Sequence, residues 1–174
     1  VGLVAMRRHA LSKRDVKRLL ERVQRELPRL SMDEGLGLDG WEVVKLREVK
    51  VFVKDGVPAL IEVGGRLLPS IFMAEAYGYP RVVVDMGAVH PIVRGADVMA
   101  PGIRTVEGSM KPGDVVAVAE ESKGRVIAVG VALMSEEEVF EVRKGKALKV
   151  LHRVGDEAWR LGAGRSSTSL KPLA

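Results

Sequence analysis

The stretch from Arg81 to Ile103, RVVVDMGAVHPIVRGADVMAPGI, leaves the chain few folds to choose from, because two strand signals and a helix signal are crowded together with glycine or proline close to each joint. Arg81 to Val84 carries three successive valines after Pro80 and predicts a short buried strand, which Asp85 and Gly87 stop. Ala88 to Val93 places apolar side chains at 88, 89, 92 and 93, a helical spacing, with Pro91 expected among the early amides that lack intrahelical acceptors. Gly95 suits a left-handed helix end. Asp97 to Ile103 then reads as extended, and Pro101 removes a ladder donor, so this segment belongs at an edge or a bulge.

Ahead of this stretch, Ser12-Lys13-Arg14-Asp15 predicts a capped helix start. Val16, Leu19, Leu20, Val23 and Leu27 recur at helical spacing up to Pro28. Arg14, Arg18, Arg22, Arg25 and Arg29 fall on the opposite side, within about one quadrant. That arginine front is either a solvated face or a contact for phosphate or an acidic protein, which the bidentate guanidinium suits. Residues 31–40 read as a Gly and Asp loop, and from Trp41 the period becomes two. Val49, Val51 and Val53 alternate with Lys50, Phe52 and Lys54, Asp55-Gly56 is a hairpin turn, and strands at Val57 to Val63 and Arg66 to Leu68 follow. Ser70 caps a helix from Ile71 to Tyr77.

Beyond Ile103, Thr105 to Pro112 reads as a loop, with strands at Val115 to Ala119 and Arg125 to Met134. Gly130 in the second of these predicts a bulge or close packing. Ser135-Glu136-Glu137-Glu138 is a second capping box, opening a helix to about Arg143, and Leu148 to Leu151 is a strand. The fold class expected is α+β in two modules: a helix with an antiparallel sheet over residues 1–79, and a mixed β-barrel with short helices over 80–162, followed by a loose tail at 163–174.

Several chemistries are excluded by what the chain carries. With no cysteine there is no disulfide, thiolate zinc site or cysteine nucleophile, and His9, His90 and His152 are too scattered for a helical zinc motif. Gly108 to Gly113 imitates a phosphate loop, but Asp114 stands where the lysine must be. No nucleophile and base pair is recognisable, so no cofactor, no metal and no enzymatic activity are expected. No apolar run of membrane-spanning length or signal-like segment is seen, which points to a cytoplasmic protein without membrane contact. Residues 1–30 hold nine Arg or Lys against Asp15, Glu21 and Glu26, an excess of +6 that exceeds the +5 of the whole chain. The basic character is therefore N-terminal, and it suits an anionic partner.

Asp85-Met86-Gly87-Ala88 followed by Arg94 to Ile103 resembles the signature of the PUA domain, the small β-barrel of pseudouridine synthases and archaeosine transglycosylases. The resemblance continues through Gly113 to Val118, Val129 to Ala132 and Asp156 to Trp159. The whole chain is similar to archaeal relatives of the malignant T-cell-amplified sequence family, translation factors with an N-terminal pre-PUA domain. This resemblance implies RNA contact through the helix and the strand after it, at Gly87, Arg94, Gly95, Met99, Pro101 and Gly102, with Arg104 and Lys149 added by expected proximity. Gly87 and Gly95 also leave backbone open to a phosphate or ribose at the two ends of that helix, although both equally suit turn geometry. The function expected is non-catalytic RNA binding in translation, to tRNA or rRNA, with the small ribosomal subunit or a translation-factor protein meeting the N-terminal module, there through Arg14, Arg18, Arg22 and Arg25. The rivals are an accessory subunit or remnant of an RNA-modifying enzyme and a purely protein-binding adaptor.

Overall fold

The computed structural model describes residues 7–31 and 36–162, so the expected tail at 163–174 lies outside them. Two compact units divide the chain: one runs to Tyr77 and resumes at Glu157, and the other spans Gly78 to Asp156.

The first unit is a five-stranded antiparallel meander, β1 (Arg7–Ala10), β2 (Trp41–Lys45), β3 (Val49–Lys54), β4 (Val57–Val63) and β5 (Arg66–Pro69), with strands in sequence order. Up to Tyr77 its helices are α1 (Lys13–Glu26), α2 (Pro28–Ser31) and α3 (Ile71–Ala76). Helix α1 starts as its sequence dictates, with Ser12 Oγ accepting from the Asp15 amide at 3.1 Å, and it buries Val16, Leu19 and Val23. At the β3–β4 turn Asp55 and Gly56 take φ of 49° and 82°, the two left-handed residues that a tight hairpin needs. Helix α3 is capped by buried Ser70, whose Oγ accepts from the Met73 amide at 3.0 Å and donates to the Pro58 carbonyl at 2.7 Å.

Strand β1 was not expected from sequence. Its residues Arg-Arg-His-Ala have little strand propensity and all four are exposed; pairing with β2 supplies what propensity does not. The alternation in β3 does not separate a wet face from a dry one, because Phe52 and Lys54 are buried along with Val51 and Val53. Lys54 Nζ donates to the Asp39 carbonyl and lies 5.9 Å from the centre of the Trp41 ring, so its charge is satisfied while its stem is covered. On the other sheet face Val44, Val51, Val53 and Ile61 receive Ala158 of a late helix, α6 (Glu157–Arg160).

The second unit contains β6 (Arg81–Val84), α4 (Met86–Val93), β7 (Val98–Met99), β8 (Ile103–Glu107), β9 (Val115–Glu120), β10 (Val126–Ala132), α5 (Glu136–Val142) and β11 (Lys146–Arg153). The sheet order is β7-β11-β10-β9-β6-β8, antiparallel throughout except for the parallel pair β6–β9. Strands β7 and β8 stand at opposite ends of that order, yet only the 3₁₀ turn Ala100–Gly102 separates them in sequence. The sheet must therefore curl on itself into a half-barrel. This closure overturns two expectations. The segment from Asp97 to Ile103 is not continuously extended, because Pro101 sits in the turn that carries the chain from one edge to the other. Nor is Thr105 to Pro112 all loop, since residues to Glu107 pair with β6. The expected edge is real, as β7 is a terminal strand. The bulge expected at Gly130 is present as a register shift against β11. Ser135 and Glu138 form the full reciprocal capping box at the start of α5.

Candidate nucleic-acid interface

Helix α4 begins earlier than its apolar spacing suggested, at Met86, because Asp85 caps it: Asp85 Oδ1 accepts from the Ala88 amide at 2.9 Å. Pro91 is therefore the sixth helical residue and not one of the first. Its missing amide removes the intrahelical donor that the Gly87 carbonyl would otherwise receive. An exposed glycine thus carries a carbonyl that lacks its regular helical donor.

The same end of α4 meets the 3₁₀ turn. The Asp85 amide donates to the Gly102 carbonyl at 3.0 Å, and a Cβ on Gly102 would lie 3.3 Å from that of Ala88, so glycine lets the turn close on the helix. Glu121 fastens this corner, with one carboxylate oxygen accepting from the Met86 amide at 3.2 Å and the other 3.4 Å from Arg104 Nε. The structure therefore brings Gly87, Gly102 and Arg104 together. Exposed Pro101 lies between, in the turn itself.

At the other end of α4, Arg94 is exposed and its Nη1 lies 3.3 Å from His90 Nε2. Gly95 takes φ of 106° and donates to the Ile92 carbonyl at 3.0 Å, the left-handed helix end that the sequence predicted. Arg153 supports this end by donating to the Val93 carbonyl at 2.6 Å. Met99 is exposed on β7 and pairs in register with Lys146 of β11. Lys149, exposed three residues further along β11, is near enough to Asp97 to help hold its carboxyl charged.

Asp97 ties these strands together. One oxygen accepts from the Val150 amide at 2.9 Å and the other lies 2.9 Å from Lys146 Nζ. Burial alone would raise its pKa, but those two contacts and the charge of Lys149 outweigh burial and hold it below the usual value. A depressed carboxyl stabilises the fold above its unfolded pKa of about 3.9 and loses that contribution as pH falls through its folded pKa. Asp97→Asn should therefore melt below wild type at pH 7, with the gap closing toward pH 3. A gap that stays constant over that range would show that the charge contributes nothing.

Sequence reasoning did not find Glu121, Asp97 or Arg153 as parts of this surface. Each acts on a partner more than 30 residues away, or on an element whose position depends on sheet closure, and no local pattern carries that information.

The arginine front of α1 is less uniform than its spacing suggested. Arg14, Arg18 and Arg25 are exposed. Arg22 instead folds over the sheet, with Nε 2.7 Å from Glu26, Nη1 paired with Glu62, and Nη2 donating to the Gly65 carbonyl at 2.6 Å. Arg22→Glu would set a third carboxylate among these two and should cost roughly 1–3 kcal/mol, whereas Arg18→Glu should stay within about 0.5 kcal/mol. Chemical denaturation of the two single variants checks this contrast, which equal stabilities would refute.

The second unit is a PUA domain, the family that matches residues 80–154, and residues 7–74 match a domain of unknown function designated DUF1947. The chain is 35% identical to an uncharacterized protein of Methanocaldococcus jannaschii, over 88% of this chain and 95% of that one. It is 28% identical to Translation machinery-associated protein 20 of Saccharomyces cerevisiae, over 68% of this chain and 70% of the yeast protein. The crystal structure of an Aeropyrum pernix PUA-domain protein, solved as a tartrate complex, superposes with a TM-score of 0.77 at 34% identity, covering 92% of this chain and 93% of that one. The chain belongs to the family of PUA-domain proteins with an N-terminal pre-PUA domain, related to the malignant T-cell-amplified sequence proteins.

Proposed function

We propose that the protein is a non-catalytic RNA-binding factor of translation, acting in the cytoplasm on tRNA or rRNA. Its PUA domain would contact RNA through α4, the turn after β7 and the cations Arg94, Arg104 and Lys149. The observation that carries this reading is the α4 corner. Exposed Gly87 offers a carbonyl whose usual helical donor is lost to Pro91, the Pro101-Gly102 turn beside it is bare of bulky polar side chains, and Arg94 and Arg104 stand at the two ends of the same helix. A ribose hydroxyl or a base amino group can use the carbonyl, while the cations meet phosphate. The yeast relative's name adds support for a role in translation. Arg14, Arg18 and Arg25 give the first unit a face for the small ribosomal subunit or a translation-factor partner, with Arg22 holding the helix that presents them.

Filter binding of the full chain to unfractionated tRNA and to small ribosomal subunits, between 50 and 200 mM salt, tests the proposal. Three phosphate contacts give an expected slope of log K against log salt of roughly −2 to −3. Binding that is weak and indifferent to salt would remove the reading.

A further inference from the structure

The helix-covered face of the first sheet holds a cleft of about 380 Å³. Strand register builds it. One row aligns His9 of β1 with Val43 of β2 and Phe52 of β3; the next aligns Arg7 with Lys45, Lys50 and then Glu62 of β4. The two rows are two residues apart on each strand, so they project to one face of the sheet. Helix α1 walls the same cleft with Asp15, Arg18, Leu19 and Arg22. The result is an apolar floor of Leu11, Leu19, Val43 and Phe52 beneath a cationic rim.

Charge in the cleft is not balanced. Arg22 and Glu62 pair with each other, and Asp15 lies 4.0 Å from Arg18. Lys50 reaches the already paired Glu62 only at 3.7 Å, and Lys45 has no ion pair among the described residues. The surplus is positive.

We infer that this cleft binds an extended acidic peptide segment of a partner protein, seating an apolar side chain on the Val43 and Phe52 floor and its carboxylates at Lys45, Lys50 and Arg18. Two observations favour a peptide over RNA. The Phe52 ring of the floor is only 9% exposed, so it offers no open face for a base to stack on, and the one other ring of the lining is the imidazole of His9. Strand β1 is also the outermost strand of its sheet among the described residues, and all its residues are exposed. The main-chain groups on the open edge of such a strand are matched in full only by another strand. A peptide paired there at one end would lie beside Arg7 and His9 at the mouth of the cleft, and its following residues would cross β1 to reach the Val43 and Phe52 floor.

This site lies wholly in the first unit and is independent of RNA binding by the PUA domain. The test uses the full chain with a pool of labelled decapeptides that alternate Asp or Glu with Leu, Ile, Val or Phe. A pool alternating Lys or Arg with the same apolar residues and a ten-nucleotide uridine RNA serve as controls. The acidic pool should bind at least tenfold tighter than the basic pool and shift the amide resonances of His9, Val43 and Lys45. Lys45→Glu with Lys50→Glu should weaken acidic-pool binding tenfold or more and leave uridine RNA affinity unchanged. Lys45→Gln with Lys50→Gln should weaken it in the same direction with an unaltered melting temperature, which guards against a folding artefact. Equal binding of the two pools, acidic-pool binding that ignores Lys45 and Lys50, or a loss of RNA affinity in place of peptide affinity would each overturn the inference. Arg94→Glu with Arg104→Glu should weaken RNA binding roughly a hundredfold or more while sparing the peptide, so that failure of one reading is distinguishable from failure of the other.

Discussion

Gly130→Ala should destabilise the PUA domain by roughly 3 kcal/mol or more and lower its melting temperature by about 10 °C or more. A Cβ at this position would lie 2.1 Å from the Lys149 carbonyl oxygen, 2.6 Å from Leu148 Cδ2 and 2.9 Å from the Lys149 carbonyl carbon. Two of these atoms are backbone of the neighbouring strand, which cannot swing aside as a side chain could. Relief requires β10 and β11 to part where their register already shifts, and both strands sit inside the sheet with partners on their far sides. The obstacle is space and not dihedral strain, since Gly130 is not among the positive-φ residues. Gly95→Val makes the useful contrast. There a Cβ meets nothing nearer than Arg153 Nε at 3.7 Å, and the cost comes from φ of 106°, a region a β-branched residue rarely enters. Thermal melts followed by circular dichroism separate the cases, and a Gly130→Ala melt within about 2 °C of wild type would show that the bulge absorbs the methyl group.

Arg94→Glu combined with Arg104→Glu should reduce RNA affinity by roughly a hundredfold or more at low salt, since two phosphate contacts are lost and two like charges are set against the backbone. The magnitude of the salt slope should fall by about 1.4 to 1.8, and by about 0.7 to 0.9 for Arg94→Ala alone. Neither arginine is buried. The Arg104–Glu121 pair is solvent-exposed and worth little to the fold, so stability should hardly change. If Arg94→Ala keeps wild-type affinity and salt dependence while Gly95→Val only melts earlier, the glycine is a structural helix end and α4 is not an RNA surface.

Much of the architecture was legible because it rests on short-range physics. Ser12, Ser70 and Ser135 each announce a helix by a hydroxyl that can reach an amide three residues on. Asp55-Gly56 announces a hairpin because few residue pairs tolerate two left-handed conformations in succession. Gly95 announces a helix end for the same reason. The glycine, proline and arginine pattern within residues 85–103 carried the PUA resemblance, since close backbone approach restricts residue type locally.

Tertiary structure decided the rest, wherever a residue's role depends on a distant partner. Strand β1 exists because β2 offers it an edge, although Arg7, Arg8 and His9 would not form a strand alone. Arg22 shares its helical quadrant with Arg18 and yet becomes an anchor, because Glu62 lies across from it on β4. Lys54 is buried because Asp39 and Trp41 receive it. The two-residue length of β7 and the turn at Pro101 follow from closure of the half-barrel, which sends β7 to one edge and β8 to the other. Spacing along a chain reports which residues share a face; what that face meets is settled only when sheets close and helices settle upon them.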